Sequence, residues 1–510
     1  MLTTLYPISY FASLLGLILW FYYKDNRKMS AMMSKLFLGG FFVYTFSLAF
    51  SEADFSQKLL VLCRDLFVLG LVSQGFNFFR KHKLVFFGML FLLFGVFGFS
   101  YKSYMVNSLM ENQTAQTYGH LDKKGEFLVE LSESHQLKEM EALIQQYDLK
   151  LTPAFSMKQK NITELDDYFV VNVPDQYEEA LAAIELALQN SGVLDWVEPN
   201  EVVQLDPSET VSALKSKRNY KINDPQVEQL WGFDAMKMDQ LYSLLSQKNI
   251  KPNRKAKIFI LDTGVDATHE DLAANYQSVK SKYDRDGQGH GTHCAGIAGA
   301  VSNNKKGIAS FSNNNEFVTI SSIKVLNNFG GGTQKTIVSG ILEAADNGAD
   351  VISMSLGGPS MGRPQRAYQK AIDYANKAGA IVVVAAGNSN ANAKDYVPAS
   401  LNNVITVAAI DEAMDRASFS NYISDVKMGI AAPGVNIYST LPGNKYAAQS
   451  GTSMATPYVA GLVGLLKSIK PELTTKEVYQ VLNQSGQQSK TPKATGAIIQ
   501  PAAAVKAILK

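Results

Sequence analysis

The chain has 510 residues and a formal net charge of +2, from 48 Lys and Arg against 46 Asp and Glu. Without a long basic run, this balance gives no reason to expect a nucleic-acid partner. The length allows about three or four domains. The two cysteines, Cys63 in an apolar run and Cys294 in an ordinary soluble stretch, argue against an internal disulfide; stability outside the cytoplasm would then need another source, such as a metal.

Four apolar runs open the chain, at 5–23, 31–50, 59–79 and 84–101, each near the roughly 20 residues that cross a bilayer. A cleaved signal peptide fits poorly, because no basic residue precedes the first run and three more runs follow. The expected organisation is therefore a four-helix transmembrane region over 1–101, with buried soluble helices as the alternative. Lys24, Arg27 and Lys28 follow run one, and Arg80, Lys81 and Lys83 follow run three, whereas the loop between runs two and three carries Glu52 and Asp54. The positive-inside rule puts loops one and three in the cytoplasm and everything after run four outside. The lipid membrane is thus an expected partner. Arg64 and Asp65, inside run three, read either as an intramembrane functional pair or as an interfacial one.

Residues 102–121 form a polar linker. From 122 to 205 the pattern alternates: strands at 125–131, 149–154, 168–173 and 193–203, helices at 136–147 and 176–190. That β-α-β-β-α-β order predicts an α+β, ferredoxin-like domain. A polar stretch over 206–221 follows. From 257 onward short apolar runs alternate with helical patterns to the end of the chain, which predicts an α/β domain over 222–510 with a mostly parallel sheet and helices on both faces. Such sheets bind ligands at the carboxyl ends of their strands.

Three segments of this last domain carry chemistry. Ile258-Phe-Ile-Leu-Asp262-Thr-Gly ends a strand on an acid, Gly289-His290-Gly-Thr-His-Cys-Ala-Gly supplies an imidazole, and Gly451-Thr-Ser453-Met-Ala puts a hydroxyl at a helix start. A serine hydroxyl needs a base to take its proton, histidine titrates near neutrality, and a carboxylate can hold the ring in one tautomer. Asp-Thr-Gly also occurs in aspartic proteases, but those need two such carboxylates and the tripeptide occurs here once.

In this Asp, His, Ser order and in motif wording, residues 222–508 resemble the subtilisin-like serine proteases, in their thermitase-like branch. The resemblance implies a serine endopeptidase acting on peptides or proteins, with Asp262, His290 and Ser453 as triad and His293 as a structural neighbour. Val384-Ala-Ala-Gly-Asn388 matches the family's oxyanion segment, so Asn388 is implied as a donor beside the Ser453 N–H. Two substrate-binding edges are implied at Gly330, Gly331 and Gly332 and at Ser355, Leu356 and Gly357, with Ala385 and Ala386 in the pocket wall. A structural Ca²⁺ site is implied at the side chains of Asp224, Asp271 and Asn304 and the carbonyls of Val301, Lys306 and Ile308, an oxygen set suited to that ion. Lys305 and Lys306 in the same loop work against it.

For 122–205 the resemblance implies a propeptide that serves its own chain as intramolecular chaperone and inhibitor; an accessory binding domain is the alternative. Self-cleavage is expected near residues 219–220. It would free the catalytic domain from its anchor or leave it held by the prodomain. The competing readings are a catalytically silent, membrane-tethered peptide-binding pseudoprotease and a membrane transporter or sensor with a protease appended.

Overall fold

A computed structural model describes residues 2–49, 55–100, 118, 120–160, 162–205, 212–360 and 365–509. It divides into two compact units, Met1–His120 and Leu121–Lys510.

The first unit is helical, with helices Leu2–Tyr22, Arg27–Ala49, Phe55–Phe79 and Lys83–Ser100. Among the described residues, two stretches are long and apolar enough to cross a membrane, Arg27–Ala49 and Val61–Phe79, and Ile8–Tyr22 and Lys83–Leu93 are shorter apolar helices. Tyr10, Ile18, Tyr44, Phe76 and Phe86 belong to one buried cluster. Asp65 lies inside this unit. Its carboxylate pairs with Arg64 at 2.9 Å and accepts from the Tyr44 hydroxyl at 3.1 Å, and its main-chain carbonyl accepts from the Tyr10 hydroxyl at 2.9 Å. Only 2% of Asp65 is exposed, so the acid faces neighbouring helices, where a buried charge needs such partners.

The second unit contains two sheets that matter for function. The smaller is antiparallel, in the spatial order Lys150–Pro153, Tyr168–Asn172, Phe127–Leu131, Leu194–Pro199, with helices Glu141–Tyr147 and Leu181–Gln189 between its strands in sequence. The expected last strand, 193–203, is in fact two. Leu194–Pro199 stays in the small sheet, while Val202–Gln204 leaves it and pairs antiparallel with Gly331–Thr333. Pro199 has no N–H to continue a ladder. Buried Asn200 fixes the corner: its Nδ2 donates to the Gly125 carbonyl at 2.7 Å, and its Oδ1 accepts from the Lys335 N–H at 3.0 Å.

The larger sheet has eight strands, in the order Gln487–Gln488, Ala497–Ile498, Gly429–Pro433, Val404–Ile410, Ile381–Ala385, Val351–Met354, Ala256–Asp262, Val318–Lys324. All its pairings are parallel except that between the first two strands. Both faces are buried, which explains the continuous apolar runs. In Ala256–Asp262, Ile258 and Ile260 belong to the core that contains the helices His290–Gly299 and Thr452–Ile469. Phe259 and Leu261 belong to the opposite core, with helices Gln334–Asp346 and Arg366–Lys377.

The small sheet sits on these last two helices, and Leu128, Tyr168 and Val170 share their core. Helix starts leave N–H groups without intrahelical acceptors. Glu198, 1% exposed, accepts from the Arg366 and Ala367 N–H groups at 2.7 and 2.9 Å and from Gln334 Nε2 at 2.8 Å. The Arg366 guanidinium stacks 3.8 Å from the Trp196 ring, and Lys370 pairs with Glu130 at 2.6 Å.

Candidate active site

Asp262 is the last residue of its strand, fully buried, and its Oδ1 accepts from the Thr263 N–H at 2.7 Å. His290 is the first residue of its helix, preceded by Gly289 at φ +106°, a backbone conformation that favours glycine. The two elements touch closely: a Cβ at Gly291 would lie 2.1 Å from the Gly264 carbonyl oxygen. His290 Nδ1 lies 2.9 Å from both Asp262 carboxylate oxygens, and the residue is 4% exposed. Burial pulls the His290 pKa down, but the charge and hydrogen bond of Asp262, aided by Asp286, outweigh it and the pKa is raised above 6.5. Nδ1 is therefore the protonated nitrogen beside the acid, which leaves Nε2 for a reacting proton.

His293 is different. It is wholly buried, Nε2 lies 3.0 Å from the Ala447 carbonyl, and burial drives its pKa down to about 3. His269, in a loop, is also buried, between Lys445 and Asp271. Cys294 is 1% exposed, and burial pushes its thiol well up, so it is a packing residue and not a thiolate.

Ser453 is the second residue of helix Thr452–Ile469. The Cys294 Sγ donates to its main-chain carbonyl at 3.5 Å, and Cys294 itself lies beside Asp262 and His290, one ligand atom of each being within 4.8 Å of the others. Its hydroxyl donates to the Ser355 carbonyl at 3.2 Å, and Ser355 Oγ donates back to the Ser453 carbonyl at 2.8 Å. Hydrogen bonds of a reacting serine commonly tighten only with substrate in place. Asn388 follows strand Ile381–Ala385; its Oδ1 accepts from the Thr452 N–H and hydroxyl, both at 2.9 Å. This fixes the carboxamide plane against the first turn that holds Ser453.

One of the two glycine-containing edges is paired with another strand. Val202, Val203 and Gln204 stand opposite Thr333, Gly332 and Gly331, and the Leu205 N–H reaches the Gly330 carbonyl at 3.0 Å. Strand addition of this kind is how an extended peptide binds a sheet edge. Leu356, Ala385 and Ala386 are buried, and a Cβ at Gly357 would meet the Val397 carbonyl at 2.7 Å.

The residues expected around a cation also converge. Asp224 accepts from the Asn303 and Asn304 N–H groups at 2.7 and 2.9 Å, while Asp271 accepts from Asn304 Nδ2 and the Ile308 N–H, both at 2.7 Å. Burial raises both acids, and the Asp224 charge helps lift Asp271 to about 7. Two buried carboxylates, one of them raised by the charge of the other, beside the Asn304 carboxamide fit a hard cation. Val301 donates its N–H to the Asp271 carbonyl at 2.8 Å, and Lys306 turns its ammonium to Glu270 at 3.5 Å.

Comparison with known proteins shows the family. A profile described as the subtilase family matches residues 253–497. Thermitase from Thermoactinomyces vulgaris is 49% identical over 218 residues, which are 42% of this chain and 75% of the relative. Subtilisin DY from Bacillus licheniformis is 43% identical over 236 residues, 45% of this chain and 82% of the relative. A thermophilic serine proteinase from Bacillus sp. (strain AK1) is 45% identical over 217 residues, 42% of this chain and 52% of the relative. With that identity spanning most of thermitase and subtilisin DY, and with a largely parallel sheet of the subtilisin type, this chain belongs to the subtilase family and is a serine endopeptidase.

Proposed function

We propose that the chain is a membrane-anchored zymogen whose Ser453 attacks peptide carbonyls. His290 Nε2 takes the hydroxyl proton as the bond forms and returns it to the leaving amine. Asp262 holds the ring through Nδ1 and stabilises the imidazolium. The oxyanion is met by Asn388 Nδ2 and the Ser453 N–H, donors set in place before charge develops. Substrate adds as a strand along Gly330–Gly331–Gly332 and Ser355–Leu356–Gly357, with Ala385 and Ala386 walling a pocket suited to apolar side chains. The observation that supports this reading most is the buried Asp262–His290 pair at 2.9 Å, with Cys294 of the His290 helix against the Ser453 carbonyl at 3.5 Å. An intact acid, imidazole and hydroxyl leave the silent pseudoprotease without support.

Residues 122–205 act as prodomain. The pairing of Val202–Gln204 with Gly331–Thr333 supports inhibition by occupancy of the substrate edge, and the Glu198 and Asn200 contacts to two helix starts support a chaperone role. Processing falls near residues 219–220, in the polar stretch that follows the prodomain. Tyr220 is 4% exposed and packs edge-on against Phe233, while Ser216 and Lys217 bind Asp234 at 2.9 and 2.6 Å, so that segment is already anchored to the peptidase domain. The apolar helices tether the chain, with the peptidase domain on the non-cytoplasmic side from which processing releases it.

Calcium binds at Asp224, Asp271 and Asn304 with the carbonyls of Val301, Lys306 and Ile308, and its charge neutralises the two acids. Chelation in EGTA is expected to lower the melting temperature by at least about 5 °C in the wild type, and by much less in Asp271→Asn. An equal response in both chains would remove the site from the account.

The function itself is tested by expressing the full chain with and without Ser453→Ala in calcium-containing, mildly alkaline buffer. Wild type is expected to shorten by mass and hydrolyse a chromogenic peptide; Ser453→Ala does neither. Hydrolysis that survives the substitution, or a wild type with neither property, sinks the protease mechanism at this site.

A further inference from the structure

Asp286 lies four residues before His290, is 8% exposed, and has so far entered only as a charge that helps raise the His290 pKa. One oxygen accepts from the Thr263 hydroxyl at 2.9 Å and from the Gln288 and Gly289 N–H groups at 3.0 and 2.8 Å. The other accepts from the Thr292 N–H at 2.9 Å and the Thr292 hydroxyl at 2.7 Å. A surface turn needs no buried carboxylate with five donors; leaving any of them unmade would cost free energy.

The donors come from both sides of the reacting pair. Thr263 follows Asp262 directly, and its hydroxyl also accepts from the Gly291 N–H at 3.0 Å, while its own N–H binds Asp262 at 2.7 Å. Gln288, Gly289 and Thr292 belong to the turn and first helical turn that carry His290. We propose that Asp286 is a positioning residue for catalysis: it ties the end of the Asp262 strand to the start of the His290 helix, and its charge supports the imidazolium that forms during turnover.

The groups facing this centre are few. Asp262 and Asp286 both pull the His290 pKa up, His293 on the same helix is buried and neutral, and the Cys294 thiol is uncharged. Lys324, beside Asp262 on the neighbouring strand, donates to the Thr263 carbonyl and feels the charge of both acids. Removing one negative charge from this set therefore moves His290 towards a lower pKa.

The inference rests on Asp262, His290 and Ser453 as the reacting groups, a reading that wild-type hydrolysis and its loss in Ser453→Ala test separately. In the full chain, Asp286→Asn is expected to lower kcat by about 10- to 100-fold, since small misplacements of catalytic groups cost this much, with KM for a short peptide within about threefold. The acid limb of kcat/KM should move down by about 0.5 pH unit, whereas Asp286→Glu keeps the limb and loses kcat. A purely structural role would reduce the amount of active enzyme without moving the limb, and an unmoved limb in Asp286→Asn overturns the proposal. Should that chain fail to mature, Thr263→Val and Thr263→Ser decide. The valine chain should lose kcat several-fold with its limb in place, and serine should restore it. A valine chain at wild-type kcat overturns the proposal equally.

Discussion

Replacing His290 with alanine is expected to lower kcat by about 10⁶-fold, with KM for a short peptide substrate changed only a few-fold. The size of the loss follows because neither other histidine of the peptidase domain can serve as base. His293, one helical turn further, is buried with its Nε2 committed to the Ala447 carbonyl and a pKa near 3, and His269 is enclosed between Lys445 and Asp271. Neither can receive the Ser453 proton. What remains is binding along the two edges and the oxyanion donors, worth about 10³–10⁴ over water in enzymes of this type. Single-turnover rates on a chromogenic peptide measure the loss; a decrease below about 10³-fold would mean that another group accepts the proton.

The second large effect is at Asp262. Asp262→Asn conserves shape, yet it is expected to lower kcat by about 10⁴-fold, because a carboxamide can present an N–H to Nδ1 and so stabilise the wrong tautomer. The geometry makes this severe: both carboxylate oxygens lie 2.9 Å from Nδ1 at a fully buried position, so no water can correct the tautomer. The pH dependence gives a second readout with a definite sign. In the wild type, burial lowers the His290 pKa and Asp262 raises it, with a net shift above 6.5. Activity needs the neutral ring, so the wild-type acid limb lies above 6.5 and activity is lost as pH falls through it. Without the carboxylate the burial effect is opposed only by Asp286, and the acid limb of the residual activity should move to lower pH. A limb that stays in place would show that Asp262 does not set the charge of His290.

Much of this was legible before the fold. The buried parallel strands announced themselves because both faces are covered, so Ile258, Phe259, Ile260 and Leu261 are all apolar. The acid, imidazole and serine lie at the ends of such strands or at helix starts, each in a short glycine-containing motif. The corner at Asn200 was hidden. Its neighbours continue a strand-like pattern, and only the Gly125 and Lys335 contacts turn Val202–Gln204 towards the peptidase edge. Asp286 was equally silent, because an Asp-Gly pair ordinarily signals a turn and its five donors come together only in three dimensions. Asp65, expected as a functional or interfacial charge, takes its partners from Tyr10 and Tyr44, far away in sequence. The anchored segment at Ser216–Tyr220 likewise depends on Asp234, which no local pattern could reveal.

The central claim is that Ser453 is a nucleophile because His290 and Asp262 make it one. The most direct measurement is mass mapping of the processed chain after brief exposure to a peptidyl fluorophosphonate at mildly alkaline pH. The account predicts one adduct, on the peptide that contains Ser453, and no adduct there in the His290→Ala chain at the same exposure. An adduct on a different serine, or equal labelling of Ser453 in the two chains, would contradict it.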